Sequence, residues 1–268
     1  MKLREIVFKF LRKEKVNNEI YCPIMQTDGA NRLAGKNVVV TGASSGIGEA
    51  IAIKAAQEGA KVLLIGRREK KLKDIFDKNK ERCIYLVSDV TKDTNLLEKC
   101  LKALDGKIDV FVNNAGIYIQ HQGSYTEQDF DKTFALNIKA PYMLTQQYIS
   151  YCRENCIKGN ILMISSNRAL FGDTTPYGLS KAAMNNMVKG FARNNANAGI
   201  RVNALCPGMV ATEINNVDKT GNMYSGNPKF ERILMPEEIA EVAIFLMSDV
   251  SQCINGAIIP CDGGDSLR

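Results

Sequence analysis

The sequence predicts a single α/β domain of the doubly wound type, in which a parallel sheet of about seven strands carries helices on both faces. From Gly35 onward, short apolar runs rich in β-branched residues alternate with longer amphipathic segments, and this alternation is typical of a parallel sheet. A glycine-rich turn, 41–48, makes the tight connection from the first run to the first amphipathic segment. The 268 residues, 45% of them hydrophobic, are enough for one substantial core.

The elements follow from these runs in chain order. Apolar runs bounded by turn residues predict strands at 37–41, 61–65, 83–87, 108–112, 160–164, 201–205 and 257–260. Helical periodicity predicts helices at 46–58, 69–80, 92–103, 127–153, 176–197 and 237–247. Right-handed crossovers bring the carboxyl ends of the strands to one edge, where such sheets bind ligands. The irregular stretch 209–235 follows the sixth strand, and a connection of this length is often a functional lid.

Residues 1–34 form an N-terminal extension ahead of the domain at 35–268. Apolar residues recur at helical spacing in 1–16, with Lys and Arg on the other side, and 17–32 is typical of an irregular connector. One interpretation is a helix that lies on a membrane surface. The other is a helix that packs on its own subunit or on a neighbour. The narrow apolar stripe and the absence of Trp favour the second interpretation.

The composition argues against several classes of protein. The net charge of +6 is modest, Lys and Arg are spread along the chain, and no nucleic-acid-binding motif is present, so we expect no nucleic-acid partner. The eight cysteines form no CxxC pair and His121 is the single histidine, so we expect no metal site. No apolar run has the length of a membrane span or the form of a signal peptide, which favours a reducing cytoplasm.

The turn 41–48 has the composition of a phosphate cradle. Gly42, Gly46 and Gly48 let the backbone turn tightly and approach a pyrophosphate, and the helix that follows offers free N–H groups. The alternative is an ordinary glycine-rich turn. The position between a buried strand and a helix favours the cradle, and we therefore expect a dinucleotide ligand.

Two arginines at the end of the second strand bear on which dinucleotide binds. A 2′-hydroxyl is usually met by an acidic residue about 20 residues after the glycines, whereas arginine there suits a 2′-phosphate. This chain has Arg67 and Arg68 at that place and no carboxylate before Glu69. Both arginines could instead be solvated residues at the start of a helix. Their position favours NADP(H) over NAD(H).

Tyr177 and Lys181 form the candidate catalytic pair. Residues four apart share one face of a helix, so the phenol and the ammonium should point the same way. A free phenol has a pKa of about 10, and a nearby cation favours the phenolate and should lower that value. Ser165 and Ser166 follow the fifth strand at its ligand-facing end, where a hydroxyl can bind a substrate oxygen.

Together these residues resemble a known family, the short-chain dehydrogenase/reductases. The segment 41–48 is similar to the family's TGxxxGxG motif, 113–116 to its NNAG motif, and Tyr177 with Lys181 to its YxxxK motif. Asn137 matches an asparagine of the long helix that precedes the catalytic serine. The resemblance extends from about residue 33 to residue 265 and implies a Rossmann-like fold and hydride transfer between a nicotinamide and a small alcohol or carbonyl substrate.

The resemblance also implies a role for each matching residue. Tyr177 is the expected acid/base, Lys181 lowers its pKa and binds the nicotinamide ribose, Ser166 orients the substrate oxygen, and Asn137 holds a proton-relay water. The residues expected to contact the cofactor are Gly42, Ser44, Ser45, Gly46, Ile47, Gly48, Arg67, Arg68, Asp89, Val90, Asn114, Ala115, Gly116, Tyr177, Lys181, Pro207, Gly208, Val210 and Thr212.

One departure from the family pattern leaves the catalytic serine open. The interval from Ser166 to Tyr177 is two residues shorter than is usual in the family, so Ser165 is a rival. Ser166 is favoured because it occupies the second serine position of the motif at the strand end.

Substrate and partners are less specified. The expected pocket borders, 117–122, 167–175 and 209–235, mix polar and apolar residues, which suits a polyol or sugar as well as a 3-oxoacyl thioester. A sensor of the same fold that binds nucleotide without turnover is a further alternative, although such proteins usually lack the Tyr or the Lys. By resemblance, we expect a homodimer or homotetramer formed through the helices predicted at 127–153 and 176–197.

Overall fold

The computed structural model describes residues 31–120, 123–215, 217–218, 221–226 and 230–267. The helix and connector predicted for 1–16 and for most of 17–32, together with His121, lie outside these residues. The elements below are numbered in chain order within the described part.

Seven strands form one sheet in the order β3-β2-β1-β4-β5-β6-β7, and every neighbouring pair is parallel. Their bounds are β1 Asn37–Thr41, β2 Lys61–Gly66, β3 Cys83–Val87, β4 Val110–Asn113, β5 Asn160–Ile164, β6 Arg201–Pro207 and β7 Ile258–Cys261. The strand order reverses between β1 and β4, which is where sheets of this kind open a crevice for ligands. The predicted fold class is confirmed.

Seven α-helices accompany the sheet in the described part of the chain. They are α1 Gly46–Gln57, α2 Glu69–Lys78, α3 Leu96–Ala103, α4 Glu127–Phe134, α5 Ala140–Glu154, α6 Pro176–Asn195 and α7 Pro236–Met247. A π-helical turn, Ala135–Lys139, joins α4 to α5. The long helix predicted at 127–153 is therefore interrupted at its middle.

The core has two layers, one on each face of the sheet. Side chains of α1, α2 and α7 pack on one face, and side chains of α3, α5 and α6 pack on the other. Strand β2 shows how the pleat divides them, because Val62 and Leu64 belong to the first layer while Leu63 and Ile65 belong to the second. This burial on both faces explains the uninterrupted apolar strands of the sequence.

Two predicted boundaries were wrong for local reasons. The third helix begins at Leu96 and not at residue 92, because Asp93 is held in a turn by the Ser88 hydroxyl at 2.8 Å and by Lys99 at 2.7 Å. Strand β6 continues to Pro207, which is paired in register with Cys261 of β7, whereas the sequence predicted a strand that ends at residue 205.

The last residues of the N-terminal extension are packed on the domain. Leu33 is fully buried, and the Arg32 guanidinium lies 2.6 Å from Glu58 at the end of α1 and 2.9 Å from Glu241 of α7. Residues 32 and 33 therefore pack against α1 and α7, and the predicted boundary at 34/35 stays a prediction. None of the helices in the described ranges is both long enough and apolar enough to cross a membrane.

Candidate active site at the carboxyl ends of the strands

A cleft of about 600 Å³ opens over the carboxyl ends of β1, β2, β4, β5 and β6. It lies at the reversal of strand order and has the size of a small-ligand site. Of the predicted site residues, those that line it are Gly42, Ser44, Ser45, Gly46, Ile47, Arg67, Arg68, Asp89, Val90, Asn114, Ala115, Gly116, Ser166, Tyr177, Lys181, Pro207, Gly208, Val210 and Thr212. Gly48 and Asn137 are buried and do not line it.

One threonine hydroxyl holds the floor of the cleft together. Thr41 at the end of β1 donates a hydrogen bond to the Val112 carbonyl of β4 at 3.2 Å. The same oxygen accepts from the backbone N–H groups of Asn114 at 3.0 Å and Ala115 at 3.1 Å. The Asn114 amide in turn donates to the carbonyls of Thr41 and Gly42. The predicted phosphate loop and the NNAG segment therefore form one hydrogen-bonded unit.

The glycines of the loop are explained by close approach as well as by backbone conformation. Gly42 and Gly46 have φ values of +66° and +59°, in the left-handed region that favours glycine. A Cβ atom on Gly48 would lie 2.2 Å from the Asn114 amide nitrogen and 2.5 Å from the Gly42 oxygen. Gly48 was predicted to touch the cofactor, but its place in the structure is a packing position beneath the loop.

The segment after β6 crosses the cleft towards the phosphate loop. We call residues 209–215 the lid segment. At its start, Met209 and Ala211 exchange backbone hydrogen bonds with Leu234 at 2.9 and 2.8 Å. Farther along, the Thr212 methyl group would lie 3.0 Å from a Cβ on Gly46. The lid segment is therefore tied at one side and lies directly over the loop.

Of the two arginines that follow β2, Arg68 is the one that contacts the phosphate loop and the lid segment. Its guanidinium donates to the Ser44 hydroxyl at 3.1 Å and to the Ser45 hydroxyl at 2.5 Å. It also lies 2.5 Å from the carboxylate of Glu213 in the lid segment. Arg67 is exposed and lines the same end of the cleft beside Asp89.

Tyr177 and Lys181 lie on the first turns of α6, as predicted. Thr175 caps this helix by accepting a hydrogen bond from the Gly178 N–H at 3.1 Å, and Pro176 occupies the first helical position. The Lys181 ammonium is 5.6 Å from the centre of the Tyr177 ring and donates to the Ile164 carbonyl at the end of β5 at 2.7 Å. The phenol and the ammonium therefore share one face of α6 and both line the cleft.

The pKa values of this pair follow from burial. Burial lowers the pKa of Lys181 to about 8, because a charged ammonium is disfavoured away from water. Burial also raises the pKa of Tyr177, and a hydrogen bond with Ser166 and the charge of Arg168 oppose that rise. The pKa of Tyr177 is thus raised overall, whereas the sequence predicted that Lys181 would lower it.

The two candidate serines have different surroundings. The Ser165 hydroxyl donates to the Lys181 backbone carbonyl at 3.3 Å. The Ser166 hydroxyl accepts from the Arg168 N–H at 3.2 Å and is the hydroxyl that hydrogen-bonds Tyr177. Of the two serines, Ser166 is therefore the one whose side chain is hydrogen-bonded to the Tyr177 phenol.

Asn137 lies behind the cleft, in the π-helical turn. Its side chain accepts from the Ile117 N–H at 2.9 Å, donates to the Ile117 carbonyl at 3.0 Å and donates to the Ser180 hydroxyl at 3.0 Å. Its oxygen would lie 3.4 Å from a Cβ on Gly116, on the side where Lys181 also approaches. Asn137 thus fixes the segment after β4 against α6, and its predicted proton-relay role stays a prediction.

Some contacts between side chains at the site were not predicted from the sequence. Arg168 forms an ion pair of 2.6 Å with Asp173, and Asn167 donates to Asp265 near the C-terminus at 2.9 Å. Glu213 also pairs with Lys71 of α2. These contacts join residues far apart in the chain or in irregular segments, where no periodic pattern signals them. Within the described residues, no group of three His, Cys, Asp or Glu side chains could hold a metal ion.

Comparison with known proteins places this geometry in a family. Residues 42–266 match a family model described as enoyl-(acyl carrier protein) reductase, and the relatives that align over most of the chain include short-chain dehydrogenase/reductases. The chain belongs to the short-chain dehydrogenase/reductase family. As a member of this family, it is an oxidoreductase that uses a nicotinamide cofactor.

Two relatives and one solved structure illustrate the similarity. This member is 36% identical over 248 residues to the short-chain dehydrogenase/reductase olcF of Penicillium canescens, which covers 84% of this chain and 94% of that protein. It is 36% identical over 252 residues to glucose 1-dehydrogenase of Gluconobacter oxydans, covering 88% and 94%. The 3-ketoacyl-(acyl-carrier-protein) reductase of Brucella melitensis, solved in complex with NADH, superposes with a TM-score of 0.80 at 29% identity, covering 88% of this chain and all of that chain.

Proposed function

We propose that this short-chain dehydrogenase/reductase is an NADP(H)-dependent enzyme that transfers a hydride between the nicotinamide and a secondary alcohol or ketone. The observation that carries the proposal is the arrangement around Tyr177. Its phenol lies beside the Ser166 hydroxyl and on the same helix face as the Lys181 ammonium, at the wall of a cleft long enough to reach the phosphate loop. A proton donor and a second hydroxyl therefore face the same ligand space.

The residues present fit a dinucleotide. Gly42 and Gly46 line the cleft and carry no side chain, which lets a pyrophosphate approach the backbone closely, and the start of α1 presents N–H groups to it. The cofactor, when bound, supplies or accepts the hydride. The chain then has to bind it, orient the substrate and move one proton.

The proton is the task of Tyr177. During reduction the phenol gives its proton to the developing alkoxide, and during oxidation the phenolate takes the proton from the alcohol. Ser166 can hydrogen-bond the same substrate oxygen and so align it with the phenol. Lys181 places a positive charge below the ring and lies against the Ile164 carbonyl, where it favours the phenolate form. Asn137 acts through position, because it fixes the segment after β4 against α6.

The preference for NADP(H) is supported by charge at the end of β2. Arg68 just after β2 and Lys71 in the first turn of α2 bring two cations to this end of the cleft, and the Ser44 and Ser45 hydroxyls hold Arg68 by accepting its hydrogen bonds. Such a set suits a phosphate better than an uncharged hydroxyl. Arg67 adds a further positive charge at the same edge of the cleft.

Activity measurements on matched variants test the proposal. We expect NADPH oxidation with members of a carbonyl panel that includes sugars, aliphatic ketones and 3-oxoacyl thioesters. Tyr177→Phe should lower kcat by at least about a hundredfold while the Kd for NADPH stays within threefold of wild type. Ser166→Ala should lower kcat strongly, and Ser165→Ala serves as its matched control.

Three results would contradict this assignment. Full activity of Tyr177→Phe would remove the tyrosine from the chemistry, and a larger loss in Ser165→Ala than in Ser166→Ala would reverse the assignment of the serines. Tight NADPH binding with no turnover on any substrate would instead favour a nucleotide sensor.

Self-association, expected from the family resemblance, stays a prediction. Exposed apolar side chains on α4, α5 and α6 are the ones that such an interface would cover, namely Phe130, Tyr142, Met143 and Leu179.

A further inference from the structure

A carboxylate of the chain itself lies between two cations, Arg68 just after β2 and Lys71 in the first turn of α2. Glu213 contacts the Arg68 guanidinium at 2.5 Å and is also paired with the Lys71 ammonium. It comes from the lid segment, 145 residues further along the chain than Arg68. An anion is therefore already in place where the nucleotide's 2′-phosphate would be recognised.

The surroundings of this carboxylate form a complete anion site. Arg68 is oriented by the hydroxyls of Ser44 and Ser45 in the phosphate loop, so its guanidinium faces the cleft and not the solvent side of α2. Both partners remain accessible to solvent, with 44% of the Arg68 side chain and 51% of the Glu213 side chain exposed. A soluble anion can therefore exchange with the carboxylate without unfolding any element.

The Glu213 ion pairs also hold the lid segment across the cleft. The lid segment is tied at its start by backbone hydrogen bonds to Leu234 and passes over Gly46 at Thr212. The Glu213 ion pairs fix its other side to the end of β2 and the start of α2. The cleft is thus spanned at the end that would hold the adenosine ribose.

We propose that Glu213 is an internal competitor for the 2′-phosphate subsite, so that a nucleotide carrying a 2′-phosphate binds Arg68 and Lys71 only by displacing this carboxylate and releasing the lid segment. The inference rests on the NADP(H) preference proposed above. It assigns Glu213 as a residue that sets cofactor specificity.

Charge explains why the exchange is possible and why it is selective. A phosphate monoester carries a charge of about −1.5 to −2 and three strong acceptor oxygens, whereas the carboxylate carries one charge and two oxygens. The phosphate can therefore replace it on two cations. A nucleotide with a free 2′-hydroxyl has no anion to offer there and leaves the Glu213 pairs intact.

Equilibrium binding of two nucleotides separates this effect from catalysis. We would titrate the full chain with 2′,5′-ADP and with 5′-AMP by isothermal titration calorimetry, in wild type and in Glu213→Gln. Glu69→Gln is the matched control, since it removes the same charge from an exposed position on the first turn of α2, next to Arg68 in sequence.

Glu213→Gln should bind 2′,5′-ADP about three- to tenfold more tightly than wild type, as expected when two exposed ion pairs, with Arg68 and with Lys71, no longer have to be broken. Its affinity for 5′-AMP should stay within twofold, and Glu69→Gln should change neither value by more than twofold. The 2′,5′-ADP complex of wild type should also show faster amide hydrogen exchange at residues 213–215 than the 5′-AMP complex.

Other results would overturn the inference. If Glu213→Gln raised the affinity for both nucleotides equally, or if Glu69→Gln had the same effect, the cause would be a change in the overall electrostatic potential and not the loss of a competitor. Weaker binding of 2′,5′-ADP by Glu213→Gln would mean that the carboxylate orients the arginine for the phosphate. The proposed cofactor preference fails separately, if wild type and Glu213→Gln both bind 5′-AMP as tightly as 2′,5′-ADP.

Discussion

The substitution Gly48→Ala tests how the phosphate loop is held against the sheet. The added methyl group would lie 2.2 Å from the Asn114 amide nitrogen and 2.5 Å from the Gly42 oxygen. Both distances are shorter than a Cβ atom tolerates to a neighbouring heavy atom. Asn114 must then move and give up its hydrogen bonds to the carbonyls of Thr41 and Gly42.

The expected magnitude follows from these contacts. Overpacking costs about 1–3 kcal/mol, and each lost hydrogen bond contributes about 0.5–1.5 kcal/mol. We expect the free energy of unfolding to fall by about 2–6 kcal/mol, and Tm by about 4–12 °C for a chain of this size. The affinity for NADPH should fall as well, because the displaced loop is the one proposed to hold the pyrophosphate.

A double-mutant cycle with Asn114→Ala gives the control. Urea unfolding of wild type, both single variants and the double variant measures the coupling between the two positions. We expect a coupling of at least about 1 kcal/mol, because removing the amide relieves the closest contact of the new methyl group. A Gly48→Ala variant within about 0.5 kcal/mol of wild type, or strictly additive variants, would refute the reasoning.

Two further predictions concern pH. The pKa of Lys181 is about 8 in the folded chain, below the ordinary 10.5, so the unfolded state holds that proton more tightly. Stability should rise with pH between about 8 and 10.5, and wild type should gain about 3 kcal/mol over Lys181→Met across this range in urea unfolding. A constant difference would contradict this. The pKa of Glu58 is lowered to about 2, chiefly by the hydrogen bond from Arg32. Its stabilisation should be complete above pH 4.5 and lost towards pH 2, so Glu58→Gln should be about 3 kcal/mol less stable at pH 6 and nearly equal to wild type at pH 2. An equal gap at both pH values would refute the assignment.

The sheet could be predicted from the sequence because each strand is buried on both faces. Val62 to Ile65 are apolar without interruption, since alternate side chains enter opposite layers. The order of motifs along these strands then located the cleft and most of its lining. Local signals were sufficient wherever a short segment determined its own conformation.

The remaining features depend on contacts between distant segments. The hydrophobic pattern of 127–153 predicts one continuous α-helix. The structure has a π-helical turn at Ala135–Lys139 within it. Glu213 was hidden in the irregular stretch, and nothing in its neighbours points to Arg68. Gly48 resembles its neighbours in the motif, and only the position of Asn114 distinguishes packing from ligand contact.

The hydroxyl of Thr41 sets how the cleft meets its ligand. Because one oxygen joins β1, β4 and the first amides after β4, the width of the crevice is fixed when the chain folds. The entropy of ordering that floor is lost during folding and not during binding, which leaves more of the contact energy for affinity. Under the proposal above, discrimination between nucleotides would depend on the opposite side of the cleft, where the Glu213 carboxylate pairs with Arg68 and Lys71.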